Sequence, residues 1–303
     1  MGTRLVDKQL VFKLHVGAVI CSTLNNRIVI SLAVFFGINL YPYADTVYMR
    51  YVDGLVKAHY SGKALPQLSA IKSGATLANA YEVQGMFVSK VMKKRKGIAG
   101  FKGALVGLKG QKKFKVNKPL SAVIFQDGWL KAEDKPVVEM SQFPGIKVET
   151  EIGFIVGKTI TKKIDGLFEL KSHFESIVPV IELPAGELEN RGPLLALDLA
   201  AANVLSSQYI VGRRNPIGSV DPDNVEIRLS RGSIVLNNST GAAAYKGQWK
   251  NLLYQVNRAL DKGYTIQSGQ MIITGALGDI IPAEPGSWSA EYGALGDITF
   301  LIR

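Results

Sequence analysis

The sequence predicts an α+β fold with a helical N-terminal layer. Between residues 45 and 94, two stretches carry apolar residues three and four positions apart, the spacing of helices with one buried face. After Gly97 the pattern changes to short β-rich runs separated by Gly and Pro, which is typical of strands. Of the 303 residues, 47% are hydrophobic and 20% are charged, so the chain can build one large core.

The first 44 residues are predicted to lie outside this unit. The run from Ile28 to Leu40 is uncharged, follows Arg27, and is shorter than the about 20 residues that a helix needs to cross a bilayer. This pattern is typical of a secretory signal peptide, with translation starting near Leu24 and cleavage near Asp45. We therefore expect a periplasmic or secreted protein with no stable membrane anchor after leader removal. The alternative is a cytoplasmic protein in which the run is a buried strand or helix.

The elements of the remaining chain follow from periodicity and from proline. Val47, Tyr51 and Leu55 share one face of the first helix, whereas Pro66 interrupts the chain as a loop. Pro193 suits the first turn of a later helix. The predicted helices are 45–60, 77–94, 193–203 and 245–261, and the later strands are 225–228, 233–236, 271–275 and 298–302. The chain thus divides into a signal peptide (1–44), an N-terminal helical region (45–96) and a β-rich domain (97–303).

Composition excludes several kinds of site. A single cysteine, Cys21, excludes an internal disulfide framework and a cysteine-based zinc cluster. A Ser-His-Asp catalytic triad is possible but not favoured, because there is no G-x-S-x-G motif and the only histidines are His15, His59 and His173. The net charge of +11 comes largely from the segment Lys90 to Lys118, which is either a solvated surface or an attractor of anions. No nucleic-acid partner is expected, because these lysines are not accompanied by the aromatic or glycine pattern of a known nucleic-acid-binding motif.

Three glutamates are the strongest indication of a site. Glu149 and Glu151 form an E-T-E motif in a predicted strand, so both side chains lie on one face with backbone positions about 7 Å apart. Glu182 lies within the otherwise apolar run V-I-E-L-P, where an ionised carboxylate is costly unless it is paired or binds a metal. Converging carboxylates favour a hard divalent cation. The alternative is a solvated E-T-E face, with Glu182 paired to a lysine.

Five motifs in order resemble a known family. They are G-A-T-L-A-N-A-Y-E-V-Q from Gly74, G-F-K-G-A-L from Gly100, E-T-E, V-I-E-L-P, and I-T-G-A-L-G from Ile273. In this order and with these gaps, they resemble the 2-keto-4-pentenoate hydratase and 2-oxo-hexenedioate decarboxylase branch of the fumarylacetoacetate hydrolase superfamily. The resemblance covers about residues 45–303. It implies a mixed β-sheet roll or barrel-like core, similar to the C-terminal domain of the fumarylacetoacetate hydrolases.

The resemblance also implies a chemistry for the β-rich domain, 97–303. Mg²⁺ or Mn²⁺ held by Glu149, Glu151 and Glu182 would bind a small 2-oxo or 2-hydroxy-dienoic acid and stabilise its enolate. Lys102 is implied as the general acid/base, which requires a lowered pKa. The alternatives for proton transfer are that Lys102 is one more surface lysine or that His173 is the base. The implied substrate-binding residues are Leu105, Thr274 and Gly275, and relatives imply a homo-oligomer.

The departures from the family pattern concern the substrate rather than the metal. Val106 stands where a Thr is usual, and Leu205 stands where a Ser is usual. The usual Asp of the A-D-N-x-S pattern is Ala202, and the usual His of G-H-P is Gln248. Three functions therefore remain open: a metal-dependent hydratase or decarboxylase, a catalytically weakened oxo-acid-binding protein, or an acylpyruvate-type hydrolase. A more apolar substrate, or one without a second carboxylate, would fit these changes.

Overall fold

The computed structural model describes residues 46–303 together with the backbone of 21–24 and 27–30. The chain divides into two units, Met1–Ala44 and Asp45–Arg303. In the first unit, β1 (Cys21–Leu24) and β2 (Arg27–Ile30) pair as antiparallel strands. Most of the predicted signal peptide lies outside the described residues, so its assignment stays a prediction. In the part of the chain that is described, none of the helices is long and apolar enough to cross a membrane.

The second unit combines helices with two sheets. Its helices are α1 (Thr46–Ser61), α2 (Leu68–Ile71), α3 (Leu77–Val91), α4 (Leu108–Phe114), α5 (Leu167–Ser172), α6 (Ala196–Ala201) and α7 (Gln248–Asp261). Its strands are β3 (Ile98–Ala104), β4 (Leu120–Phe125), β5 (Trp129–Lys131), β6 (Val137–Val138), β7 (Lys147–Val156), β8 (Phe174–Leu183), β9 (Gln208–Val211), β10 (Asn215–Pro216), β11 (Glu226–Arg231), β12 (Ile234–Thr240), β13 (Met271–Ile273), β14 (Ile281–Pro282), β15 (Gly286–Glu291) and β16 (Asp297–Ile302).

The larger sheet is mixed and carries the predicted site. Its strand order is β4-β3-β13-β7-β8-β9-β5, with β10 paired to β8 and β14 paired to β7. The β13–β3 and β5–β9 pairs are parallel, whereas β7 and β8 form a long antiparallel pair. The second sheet has the order β12-β11-β15-β16-β6. The α+β prediction with a helical N-terminal layer is therefore confirmed.

The helical layer packs on the large sheet through apolar and polar contacts. Thr76 caps α3 by accepting the backbone N–H of Asn79, which explains why this helix begins at Leu77 as predicted. The buried Gln84 of α3 donates its side-chain amide to the backbone oxygens of Ser121 (3.1 Å) and Ala200 (2.8 Å). This pairing satisfies a polar group in the core and fixes α3 against both β4 and α6.

The helix predicted over 193–203 is shorter than expected. It begins at Ala196, because the Asp198 carboxylate accepts the backbone N–H of Leu195 at 3.0 Å and makes that residue the cap. Pro193 therefore lies in the preceding loop and not in the first helical turn. The helix ends at Ala201, before a run of left-handed residues that begins at Asn203. The prediction of Pro193 as a helix start was wrong, since proline tolerates a first turn but does not specify one.

Candidate metal and active site

The β7–β8 pair brings the three glutamates together. Glu149 lies directly opposite Glu182 in the antiparallel register, and Glu151 is opposite Val180. All three carboxylates are buried, and one oxygen of each lies within 4.8 Å of the others. The alternative of a solvated E-T-E face is therefore excluded. Strand alternation alone predicted that Glu149 and Glu151 share a face, but only the register shows that Glu182 joins them.

The segment that follows β13 holds Glu151 in place. The backbone N–H of Gly275 donates to Glu151 Oε2 at 2.6 Å, a charge-assisted hydrogen bond when the carboxylate is ionised. Gly275 has φ +101°, and a Cβ atom there would lie 2.6 Å from Cγ1 of Val106. Only glycine fits this conformation and this space, so the I-T-G sequence is what allows the peptide to reach the carboxylate.

Lys102 reaches the same cluster from β3. The residue is 1% exposed, and its Nζ donates to Glu182 Oε1 and lies 3.4 Å from the backbone oxygen of Val204. Strands β3 and β8 are three positions apart in the sheet, about 14 Å if the sheet were flat. Side chains stand roughly perpendicular to a sheet, so two of them could not meet across this distance on a flat one, and the contact indicates that the sheet curves. The alternative of a surface lysine is excluded. The pairing of Glu182 with a lysine, which the sequence offered as part of the alternative to a metal site, is present.

The electrostatics of the cluster follow from burial. Burial, the charge of Glu182 and a hydrogen bond with it raise the pKa of Glu149 to about 8, although Lys102 opposes the shift. Burial and the charges of Glu182 and Glu149 raise the pKa of Glu151 well above its usual range, again against the effect of Lys102. For Lys102, burial lowers the pKa, but the three carboxylates outweigh it and the net shift is upward. The lowered pKa required of a general base is thus not a property of the metal-free site.

Two oxygens in the cluster indicate what it is built to hold. Glu151 Oε1 and Glu182 Oε2 are buried and have no hydrogen-bond partner among the described residues. A buried polar atom without a partner is costly, and native proteins rarely leave one unless it binds an ion or water. Three converging carboxylates are the donor set that Mg²⁺ and Mn²⁺ prefer. The residues present therefore fit a divalent cation.

A large cavity opens beside the cluster. It has a volume of about 830 Å³, and Lys102 and Glu149 line it. The other lining residues come mainly from the segments 104–105, 113–114, 184–194 and 199–205. A small acid entering this cavity would therefore reach the proton-carrying Nζ and one carboxylate of the cluster together.

The predicted substrate-binding residues occupy different places. Leu105 lines the cavity, whereas Thr274 is fully buried with its hydroxyl 2.7 Å from Gln248 Oε1. Thr274 and Gly275 are not among the cavity-lining residues; the N–H of Gly275 contacts Glu151, whereas the hydroxyl of Thr274 also donates to the backbone oxygen of Ile152. Substrate contact by these two residues stays a prediction. His173 is also away from the cavity, with its Nδ1 3.2 Å from the backbone oxygen of Lys158.

One segment of the site escaped the sequence analysis. Asn203, Val204 and Leu205 are consecutive residues with φ of +50°, +50° and +55°. The conformation is unusual for non-glycine residues and an outlier for β-branched Val204. It is supported by the Asn203 amide, which pairs with both the N–H and the oxygen of Val123 at 2.9 Å. Asn203 was the only sequence signal, because Asn tolerates this region better than other residues.

Known proteins resemble this chain over most of its length, although no family model matches it. The 2-keto-4-pentenoate hydratase 1 of Dechloromonas aromatica is 23% identical over 250 residues, which is 82% of this chain and 94% of the relative. The 2-keto-4-pentenoate hydratase of Paraburkholderia xenovorans is 25% identical, over 77% of this chain and 86% of the relative. A 4-oxalocrotonate decarboxylase from a Pseudomonas species is 23% identical, over 83% of this chain and 96% of the relative. Hydratases and decarboxylases of this kind are lyases.

Solved structures share the fold. The 4-oxalocrotonate decarboxylase of Pseudomonas putida G7, complexed with magnesium and adipate, superposes with a TM-score of 0.78 at 20% identity, covering 85% of this chain and 97% of the neighbour. The fumarylpyruvate hydrolase of Pseudomonas aeruginosa, in complex with Mn²⁺ and pyruvate, gives a TM-score of 0.55 at 13% identity, covering 67% and 88%. These neighbours of the same fold hold magnesium and Mn²⁺, the two cations predicted as cofactor for this chain.

The sequence relatives, the structural neighbours and the mixed sheet with its half-barrel agree with one another. The barrel-like core expected from the resemblance is thereby confirmed as well. The chain is therefore similar over most of its length to 2-keto-4-pentenoate hydratases and 4-oxalocrotonate decarboxylases, and it shares the fold of the solved 4-oxalocrotonate decarboxylase and fumarylpyruvate hydrolase.

Proposed function

We propose that the protein is a divalent-metal-dependent lyase, a hydratase or decarboxylase, acting on a small 2-oxo or 2-hydroxy-dienoic acid. The observation that carries this proposal is the buried cluster of Glu149, Glu151 and Glu182, with two orphan oxygens, beside a cavity lined by Lys102. The names of the relatives support the same reaction class.

Each residue of the cluster has a role in the proposal. Glu149, Glu151 and Glu182 would hold Mg²⁺ or Mn²⁺, with Glu151 oriented by the N–H of Gly275. When bound, the cation supplies Lewis-acid stabilisation of the negative charge that develops on the substrate 2-oxygen. Lys102 holds a proton at Nζ and exchanges it with a substrate carbon or hydroxyl in the cavity. The leucines around the cavity exclude water from the site.

A second candidate function is an oxo-acid-binding protein with weak catalysis. The observation in its favour is the net upward shift of the pKa of Lys102, which keeps the amine protonated in the metal-free protein. An ammonium can bind a carboxylate and donate a proton, but it cannot remove one from carbon.

Exchange of the C3 protons of 2-oxopentanoate distinguishes these functions. In D₂O with Mg²⁺ or Mn²⁺, we expect the NMR signal of the C3 protons to decay with a rate proportional to enzyme concentration, and no decay in EDTA. A binding protein would perturb the ligand resonances without exchange. Cleavage of an acylpyruvate in place of C3 exchange would instead indicate a hydrolase. No exchange with a metal-loaded, folded protein contradicts the lyase assignment.

We also propose that the protein is exported to the periplasm or secreted. The support for this is the uncharged run from Ile28 to Leu40 after Arg27. Expressed with its full leader in a Gram-negative host, the protein should be recovered from the periplasm with its N-terminus near Asp45, as determined by N-terminal sequencing. Arg substitutions at Val34 and Phe35 should block this processing. An intact N-terminus in the cytoplasmic fraction of the unmodified protein argues against export.

A further inference from the structure

The cavity is larger than a small oxo acid requires. Its volume of about 830 Å³ lies in the upper part of the range of roughly 300–1,000 Å³ that holds drug-sized ligands. The metal-binding and proton-transfer groups occupy one place on its wall, at Lys102 and Glu149. The rest of the cavity is therefore available to the part of the substrate that does not react.

That remaining wall is predominantly apolar. Seven large apolar side chains from five separate segments line it: Leu105, Phe114, Leu188, Leu194, Leu199, Leu205 and Ile280. Leu194 is 40% exposed, a large apolar surface that faces water unless something covers it. A surface of this kind gains free energy by covering hydrocarbon and offers no partner to a carboxylate.

Part of this wall has a backbone conformation that its residue types disfavour. Leu105 and Leu205 have φ of +54° and +55°, and Val204 between Asn203 and Leu205 has φ +50°. Non-glycine residues adopt such conformations where the surrounding structure imposes them, often at ligand sites. The oxygen of Val204 lies 3.4 Å from Nζ of Lys102, so the apolar wall begins directly beside the reacting end.

The charged residues of the cavity do not form a second anion site. Besides Lys102, the lining cations are Lys113 and Lys147, and Nζ of Lys147 already donates to the backbone oxygen of Gly145 at 3.2 Å. Glu187 and Glu189 also line the cavity, which makes the balance outside the metal cluster neutral. A distal carboxylate on the substrate would therefore meet no excess of positive charge in the cavity, and the leucines offer it no hydrogen-bond partner.

We propose that the enzyme selects 2-oxo acids, or the corresponding hydroxy-dienoic acids, with a single carboxylate and an apolar alkyl or aryl tail. The tail lies against the leucine wall, with Leu205 as a specificity-determining residue next to the reacting end. This inference rests on the proposed function, because the carboxylate end is taken to bind at Lys102 and the metal cluster.

Titration calorimetry of the Mg²⁺-loaded protein with acids of increasing length tests the tail. The series is pyruvate, 2-oxopentanoate, 2-oxohexanoate, 2-oxooctanoate and 2-oxo-4-phenylbutanoate, with 2-oxoadipate as the dicarboxylate matched in length to 2-oxohexanoate. Each added CH₂ should lower Kd about fourfold until the wall is covered, since burying one CH₂ is worth about 0.8 kcal/mol. The dicarboxylate should bind at least tenfold more weakly than 2-oxohexanoate.

The variant Leu205→Asn tests the wall itself. Asn is similar in size to Leu and tolerates positive φ, so the backbone of this segment can be kept. It should weaken binding of 2-oxooctanoate about tenfold or more and leave pyruvate within twofold. Leu108→Asn is the matched control, because Leu108 is 73% exposed and is not a lining residue of this cavity. Circular dichroism and thermal unfolding establish that both variants are folded.

The outcomes separate this inference from the proposed function. Binding and C3 exchange of 2-oxopentanoate with no dependence on tail length, or with tighter binding of 2-oxoadipate, overturn the apolar-tail inference alone. An unchanged affinity of Leu205→Asn for 2-oxooctanoate overturns the role of Leu205. If none of the acids binds or exchanges, the proposed function fails and the inference fails with it.

Discussion

Replacing Glu151 or Glu182 by Gln is expected to weaken Mg²⁺ or Mn²⁺ binding by more than about 100-fold and to abolish C3 exchange. Loss of an outer-shell partner typically costs 10–100-fold in metal affinity, and these residues are the proposed ligands themselves. Each Gln keeps the size of the side chain but removes one of the three charges that a divalent cation would neutralise. Calorimetry with each metal on purified protein from Asp45 onward measures the change directly.

Two controls make this prediction specific. Glu226→Gln changes an exposed glutamate of β11, so it should bind metal like the unmodified protein. Thermal unfolding in EDTA should show that Glu151→Gln is at least as stable as the unmodified protein, because it relieves repulsion in a buried cluster. Glu182→Gln should be less stable, because it leaves the buried Lys102 without its partner, and circular dichroism establishes that it is folded. Unchanged metal affinity in both Glu151→Gln and Glu182→Gln would exclude this cluster as the metal site.

Metal binding should also depend on pH in a defined direction. In the metal-free protein the pKa of Glu149 is raised to about 8 by burial and by Glu182, so this carboxyl holds a proton at neutral pH. A cation must displace that proton. Its affinity should therefore rise with pH from pH 6, by about tenfold per unit for each ligand that must lose a proton, and the pKa of Glu151 is raised as well. Glu149→Gln should bind weakly and show a shallower dependence, because only Glu151 then has a proton to lose.

The sequence indicated the ligands better than it indicated their assembly. Period-two alternation placed Glu149 and Glu151 on one face, and the cost of an unpaired charge in an apolar strand singled out Glu182. Both arguments are local. The insertion of β13 between β3 and β7, and the curvature that lets Lys102 reach Glu182, depend on pairings between distant segments that spacing does not encode.

The residues that line the cavity were also not predictable from local sequence patterns. Leu199 reads in the sequence as an ordinary apolar position of a helix, and Leu188 as a loop residue. Both line the cavity; Leu199 lies in α6, which begins at Ala196, and Leu188 forms an isolated bridge with the distant Leu65. The Asp198 cap that sets this start also accepts hydrogen bonds from Ser69, a tertiary contact across the helical layer. Local propensity cannot anticipate such a contact.

The Lys102→Met variant is expected to lose C3 exchange by about 10³-fold or more while retaining metal binding. General acid–base groups contribute typically 10²–10⁴-fold, and Met keeps an unbranched side chain in the buried space of the lysine. Removing the ammonium also removes a repulsive charge beside the metal ligands, so the affinity for Mg²⁺ should stay the same or increase. NMR exchange in D₂O and calorimetry on the same sample separate the two effects.

Lys102→Arg separates proton transfer from charge. Arg keeps the cation next to Glu182 but does not give up a proton at accessible pH, so exchange should again be lost. Lys109→Met is the matched control, since the Lys109 side chain is 93% exposed and pairs with Asp279 at the surface. It should exchange C3 protons at the unmodified rate.

If Lys102→Met still exchanges C3 protons, the structure indicates which other residue could be the base. His173 is the remaining candidate base from the sequence, but it is not a lining residue of the cavity, and its Nδ1 lies against the oxygen of Lys158. Exchange that persists in Lys102→Met and disappears in the double variant with His173→Ala would require the substrate to bind elsewhere. Exchange that persists in both would leave Glu149, the carboxylate that lines the cavity, as the proton acceptor.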